Sequence, residues 1–146
     1  MTQLILEQAL NGLQFGLMLF LLAAGLTLVF GIMDMINLAH GSLYMVGAYL
    51  AAAAVAASGS FVVGVLAAVI GTAVIGALLE FTVLRHLYTR DHLSQVLATF
   101  ALILIANEAV RMVWGDQPVL LNPPDALSGP VEIAGFSYPA FRLLII

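Results

Sequence analysis

Long apolar stretches, separated by short polar segments, dominate the pattern of this chain. No Asp, Glu, Lys or Arg occurs in residues 8–33 or in residues 35–79. A bilayer is crossed by about 20 helical residues, so the second stretch has room for two spans, and the SGS sequence at 58–60 offers a break between them. The pattern predicts transmembrane helices at residues 10–33, 38–57, 61–84 and 93–114, and the start of a fifth at 138–146.

Composition agrees with this pattern. The chain is 63% hydrophobic and only 8% charged, whereas soluble domains carry roughly 25% charged residues. We therefore predict an all-α, polytopic transmembrane helical bundle in a lipid bilayer. Because the fifth span stops at Ile146, we expect the chain to be part of a longer membrane protein.

Charge placement predicts the orientation. The segment 85–92 carries Arg85 and Arg90, whereas all charged residues of the loop 115–137 are acidic. Basic residues accumulate on the cytoplasmic side of membranes, so we place 85–92 in the cytoplasm, and 115–137 and the N-terminus outside. Arg142 then lies at the outer end of the fifth span, where its side chain can reach the interface. The EIAGFS sequence in the outer loop predicts a short hairpin.

Small residues recur at helical spacing and predict close helix packing. Helices in lipid associate largely by backbone approach, which small side chains permit. The positions that we expect to pack are Gly12 and Gly16 in the first span, Ala48 and Ala52 in the second, and Gly64 and Gly71 in the third.

The most polar cluster begins at Asp34 and reads DMINLAHGSLYMVGAY. If this stretch is helical, Asn37, Gly41 and Tyr44 share one face, with His40 stacked over Tyr44. Polar groups at membrane depth usually face the bundle interior or a watery cavity, so these four residues could line a translocation path. The alternative is that Asp34 and Asn37 cap the second span and that His40 bonds a nearby carbonyl.

Other polar residues favour structural roles. Glu80 is expected to meet Arg85 or a neighbouring helix, and Glu108 pairs with Arg111 on one helix face. His40 is the only histidine in a predicted span and the chain has no Cys, so we predict no metal site and no cofactor. An intramembrane enzyme using His40 with Asp34 or Glu80 would need groups that lie at different depths, so we predict no enzyme.

The stretch GLTLVFGIMDMINLAHGSLYMVGAY resembles the permease subunits of branched-chain amino-acid ABC importers of the leucine/isoleucine/valine type. That family carries an INxAHG signature, which here runs from Ile36 to Gly41, followed by Tyr44 and a GAY turn ending at Tyr49. The stretch GALLEFTVLRHLYTRDHLSQVLATFAL is similar to the family's third span, basic loop and fourth span. The resemblance covers essentially the whole chain.

This resemblance implies a permease subunit that forms the path for branched-chain amino acids in the bacterial inner membrane. A second permease subunit, cytoplasmic ATPase subunits and a periplasmic substrate-binding protein would be its partners. The chain has no Lys, which excludes a Walker A loop and agrees with ATP hydrolysis by separate subunits. The net charge of −4 is dispersed and suggests no nucleic-acid partner. A permease for a sugar or urea-like solute, or a non-transporting membrane scaffold, remains an alternative.

Overall fold

The computed structural model describes residues 2–117, 119–121, 124, 129–133 and 136–145, which form mainly helices. A single 3₁₀ turn, Leu84–His86, lies between the third and fourth helices of this described part. The elements are α1 (Thr2–Met33), α2 (His40–Ser58), α3 (Phe61–Thr82), α4 (His92–Trp114), β1 (Pro130–Ile133), β2 (Phe136–Pro139) and α5 (Ala140–Ile145).

Among the described residues, four helical segments are long and apolar enough to cross a membrane: Leu4–Met33, His40–Ser58, Phe61–His86 and His92–Trp114. Large apolar side chains such as Leu21, Ile32 and Met112 are exposed along them. Such surfaces are stable only when a nonaqueous solvent or another protein covers them. The predicted class, a polytopic helical membrane protein, is confirmed.

The chain divides into two compact units, one formed by Met1–Gly25 with Asn122–Ile146 and the other by Leu26–Leu121. In the second unit, α2 packs against α3 along most of its length. Two glycines of α3 create this contact, because a Cβ on Gly64 would lie 3.1 Å from the carbonyl oxygen of Ala51, and one on Gly71 would lie 2.6 Å from Leu50. Close backbone approach of this kind stabilises helix pairs in lipid.

The connection from α2 to α3 is very short. α2 ends at Ser58, and Gly59 follows with a φ of 68°, the left-handed conformation that glycine adopts without strain at helix ends. The N–H of Gly59 donates to the carbonyl of Val55 at 2.8 Å, and the N–H of Ser60 donates to Oγ of Ser58 at 3.2 Å. These bonds satisfy the helix end locally, so α3 can begin at Phe61.

In the first unit, β1 and β2 form an antiparallel pair in which Val131 faces Tyr138. The hairpin predicted from EIAGFS is therefore confirmed in its strands, although residues 134 and 135 lie outside the described residues, as does Asp125 of the predicted outer loop. The fifth helix begins at Ala140 rather than near 138, because Tyr138 belongs to β2.

Candidate functional site

The chain leaves helical geometry between α1 and α2, at residues 34–39. Asp34 has a φ of 49°, in the left-handed region, which aspartate tolerates better than most residues. Its N–H donates to the carbonyl of Phe30 at 2.9 Å and completes the last turn of α1. The break is therefore a bonded turn, and it includes the first residues of the NLAHG sequence.

Asn37 lies inside this break and is buried, with 5% of its surface exposed. Its Oδ1 accepts a hydrogen bond from the N–H of Ala39 at 3.1 Å, which is an Asx turn. Because α2 begins only at His40, Asn37 cannot share a helical face with Gly41 and Tyr44, and that prediction is wrong. The physical reason is that the short amide side chain bonds its own backbone in competition with the helix.

Gln95 of α4 stabilises the break through a hydrogen bond. Gln95 lies in the first turn of α4, and 2% of its surface is exposed. The N–H of Ile36 donates to Oε1 of Gln95 at 3.1 Å. In the other direction, Nε2 of Gln95 donates to the carbonyls of Leu87 and Arg90, each at 3.2 Å. We call Gln95 and these three backbone groups the Gln95 node, and it joins the break, the segment before α4 and α4 itself.

Thr99 extends the node by one helical turn and has 0% of its surface exposed. Its Oγ1 donates to the carbonyl of Gln95 at 2.8 Å and lies 3.5 Å from the carbonyl oxygen of Ile36. The sequence analysis missed both Gln95 and Thr99. The available signal was their spacing of four residues in the first half of a helix whose centre is apolar, which places two polar groups on one face.

Residues 83–91, between α3 and α4, are also fixed by hydrogen bonds. The hydroxyl of Tyr88 donates to the carboxylate of Glu80, whereas the sequence predicted Arg85 or a neighbouring helix as the partner of Glu80. Burial, together with the hydrogen bond to Glu80 and its negative charge, raises the pKa of Tyr88 to about 12. Tyr88 therefore stays neutral and keeps its donor proton at physiological pH.

Asp91 caps α4 at its N-terminus. Its carboxylate accepts hydrogen bonds from Oγ of Ser94 at 2.7 Å and from the Ser94 N–H at 3.1 Å. These bonds favour the charged form and lower the pKa of Asp91. Capping of this kind fixes where α4 starts and thereby where Gln95 lies.

The other predicted path residues lie on α2 itself. A Cβ built on Gly41 meets no atom within 4 Å, and 52% of the Tyr44 surface is exposed. Tyr44 lines a groove of about 530 Å³ between α2 and α3, together with Gly47 and Ala48 of α2 and Thr72 of α3. Tyr44 and Thr72 are the lining residues with polar side chains and the others are apolar, so the groove can accept a largely apolar solute.

The sequence of the chain matches the family described as "Branched-chain amino acid transport system / permease component" over residues 8–142. The chain belongs to this permease family.

Curated relatives of this permease chain carry matching names. The high-affinity branched-chain amino acid transport system permease protein LivH of Escherichia coli K12 is 29% identical over 125 residues, covering 80% of the chain and 41% of LivH. The corresponding protein BraD of Pseudomonas aeruginosa is 52% identical over 46 residues, covering 32% of the chain and 15% of BraD. LivH of Salmonella typhimurium LT2 is 46% identical over 52 residues, covering 36% of the chain and 17% of LivH.

The chain spans less than half of the length of the curated relatives that it matches. No solved structure matches it.

The small residues of this permease chain that were predicted to pack fall into two groups. In the second unit, Gly64 and Ala52 are buried, and a Cβ on Gly71 would press on Leu50, while Ala48 lines the groove. In the first unit, a Cβ on Gly12 or Gly16 would meet no described atom within 4 Å.

Polar side chains also mark the other end of α4. Arg111 donates to Asp116 at 2.8 Å and lies 3.9 Å from the carboxylate of Glu108, the partner predicted from the sequence. The ring of Trp114 packs on Tyr49 with 5.4 Å between centroids. In the described ranges, no group of three His, Cys, Asp or Glu side chains could hold a metal ion.

Proposed function

We propose that this chain forms part of the membrane-spanning permease subunit of an ABC importer and carries branched-chain amino acids across the bacterial inner membrane. The observation that carries the proposal is the family match, which extends over residues 8–142. The name of the Escherichia coli relative, a high-affinity branched-chain amino acid transport system permease protein, supports the substrate class.

The translocation path that we propose follows α2. Tyr44 and His40 supply hydrogen-bonding groups, and Gly41 leaves its surroundings open. Asn37 stabilises this surface indirectly, because its Oδ1 accepts a hydrogen bond from Ala39 in the turn that precedes His40. A largely apolar groove with hydroxyl groups suits a substrate with an aliphatic side chain.

Four kinds of partner complete the proposed importer: a second permease subunit, cytoplasmic ATPase subunits, a periplasmic substrate-binding protein and the amino acid itself. The exposed Arg85, His86 and Arg90 support a cytoplasmic position for residues 85–92. Residues 1–146 contain no Cys, so His86→Cys and Glu132→Cys each add one labelling site to this part of the protein. A membrane-impermeant maleimide should label Glu132→Cys in intact cells and His86→Cys only after lysis, and the reverse pattern would refute this orientation.

Leucine uptake by the complete transporter in right-side-out vesicles that contain ATP tests the function. We expect Tyr44→Ala to reduce ATP-dependent uptake by about 10-fold, which corresponds to roughly 1.4 kcal/mol. Phe100→Ala is the matched control, because Phe100 is an aromatic residue of α4 with a similar exposure of 51%. Its uptake should remain close to that of the unmodified transporter.

The same vesicles separate the alternatives. Uptake of a labelled sugar or urea without uptake of leucine would show that the substrate is such a solute and not a branched-chain amino acid. Uptake of none of these solutes, with the subunits correctly assembled, would support the scaffold and contradict transport. An equal loss in Tyr44→Ala and Phe100→Ala would remove α2 from the path while leaving the transport proposal intact.

A further inference from the structure

A second polar cluster occurs in the first unit, where Asn11 of α1 accepts two hydrogen bonds. Its Oδ1 accepts from the hydroxyl of Tyr138 at 2.8 Å and from Nη1 of Arg142 at 2.8 Å. Tyr138 is only 2% exposed, whereas Arg142 is exposed. The buried tyrosine therefore fixes the amide, and the amide in turn fixes the guanidinium.

The guanidinium borders a cavity of about 220 Å³ that is lined by Asn11, Gln14, Phe15, Met18 and Arg142. Asn11, Gln14 and Met18 follow each other at helical spacing on one face of α1. The cavity thus combines a cationic and amide end with an apolar wall formed by Phe15 and Met18. We call it the Arg142 cavity.

Arg142 has no carboxylate partner within the described ranges, where the ion pairs involve Arg111 instead. A guanidinium has five donors, and the bond to Asn11 uses one of them. Ionisable groups beside lipid are expensive and usually mark a site of function. The remaining donors have the fork geometry that binds a carboxylate with two parallel hydrogen bonds.

We propose that the Arg142 cavity binds the carboxylate of the transported amino acid, while Phe15 and Met18 contact its aliphatic side chain. This inference rests on the proposed function. Glu7 lies one helical turn from Asn11 on the same face of α1, and Gln14 is one of the residues that line the cavity. The carboxylate of Glu7, one turn of α1 from Asn11, and the amide of Gln14 in the lining favour an ammonium group and disfavour the phosphate of a lipid, so a zwitterion fits best.

The test is equilibrium binding of radiolabelled leucine to the purified permease–ATPase complex without the substrate-binding protein. Arg142→Met should weaken binding by about 10- to 100-fold, the effect expected for losing a charged hydrogen-bonded pair. Arg142→Lys keeps the positive charge but loses the fork of parallel donors. Its leucine affinity should lie between those of the unmodified complex and Arg142→Met. The matched control is Arg111→Met, because Arg111 is already paired with Glu108 and Asp116. The complex with this substitution should bind leucine with unchanged affinity.

The ligand chemistry is resolved with two further probes, isopentylamine and phosphatidylglycerol. Isopentylamine, which has the leucine side chain and ammonium but no carboxylate, should bind weakly and equally to the unmodified complex and to Arg142→Met. Loss of co-purified phosphatidylglycerol from Arg142→Met, with leucine affinity unchanged, would overturn the inference in favour of a lipid phosphate.

Uptake measurements separate this inference from the proposed function. Normal leucine uptake by the unmodified transporter, with equal leucine affinity in Arg142→Met, would overturn the inference alone. If the unmodified transporter takes up no leucine, the proposed function fails and this inference fails with it. Basal ATPase activity of each variant complex shows whether the subunits are folded and assembled.

Discussion

The Gln95 node and the Arg142 cavity are both polar clusters in an apolar chain, yet their hydrogen bonds are used differently. Gln95 is uncharged and buried, and its amide bonds three backbone groups. Arg142 is charged and exposed, its guanidinium donates to Asn11, and it borders a cavity. A polar group whose hydrogen bonds are all internal serves the fold, whereas one with donors facing open space is available for a ligand.

The largest expected effect is a loss of stability on substitution of Gln95, which distinguishes the Gln95 node from the Arg142 cavity. Gln95→Leu leaves the N–H of Ile36 and the carbonyl of Arg90 without this partner, whereas the carbonyl of Leu87 keeps the N–H of Arg90, and an unsatisfied buried group costs about 1–3 kcal/mol. We expect the free energy of unfolding, measured by denaturant titration in mixed micelles, to fall by about 2–4 kcal/mol. The loss is limited because water can reach part of the segment 83–91 and replace some of the lost hydrogen bonds.

Two controls accompany this measurement. Gln8→Leu changes an exposed glutamine of α1 and should shift the unfolding free energy by about 0.5 kcal/mol or less. Arg142→Met should also leave stability nearly unchanged. If Arg142→Met destabilises the protein as strongly as Gln95→Leu does, the distinction between the two clusters is lost.

A second prediction compares these hydrogen bonds with a purely steric contact. A Cβ on Gly64 would meet the stiff side chain of Val55 and lie 3.1 Å from the carbonyl oxygen of Ala51. Gly64→Ala should therefore lower the unfolding free energy by about 1–3 kcal/mol. Gly12→Ala, in open surroundings, should instead raise it by about 0.5–1 kcal/mol through helix propensity. The same sign of change at both positions would contradict the role assigned to Gly64.

The smallest expected effect concerns Asp91, a satisfied polar group that is exposed rather than buried. Since hydrogen bonds from Ser94 lower its pKa, Asp91 stabilises the folded state fully above its ordinary pKa of 3.8, and this stabilisation is lost as the pH falls through the lowered pKa. Asp91→Ala should reduce the thermal midpoint slightly at neutral pH. Asp91→Asn keeps a capping oxygen without a titratable group, and its midpoint should depend less on pH than that of the natural chain.

The helices were predictable from the sequence because long charge-free stretches are read directly. The break between α1 and α2 was also predicted, because the spans predicted at 10–33 and 38–57 leave 34–37 outside a helix. The structure extends the break to residue 39, where the N–H of Ala39 donates to Oδ1 of Asn37. The hairpin could be predicted because its signal lies within a few residues, as the register that pairs Ile133 with Phe136 reflects.

The Gln95 node could not be predicted, because Ile36 and Gln95 are 59 positions apart and no local pattern specifies which segments meet. The Arg142–Asn11 contact spans 131 positions for the same reason. Sequence periodicity identifies the face of a helix that is polar, but the partner of that face is set by tertiary packing.

The connection at Gly59 and Ser60 has a consequence for biogenesis. Because α2 and α3 are joined by these residues alone and carry no Asp, Glu, Lys or Arg before Glu80, no charged anchor can hold one helix in the membrane while the other is still being synthesised. We therefore expect the two helices to leave the translocon as one preformed pair, with Gly64 and Gly71 already docked when they reach the lipid.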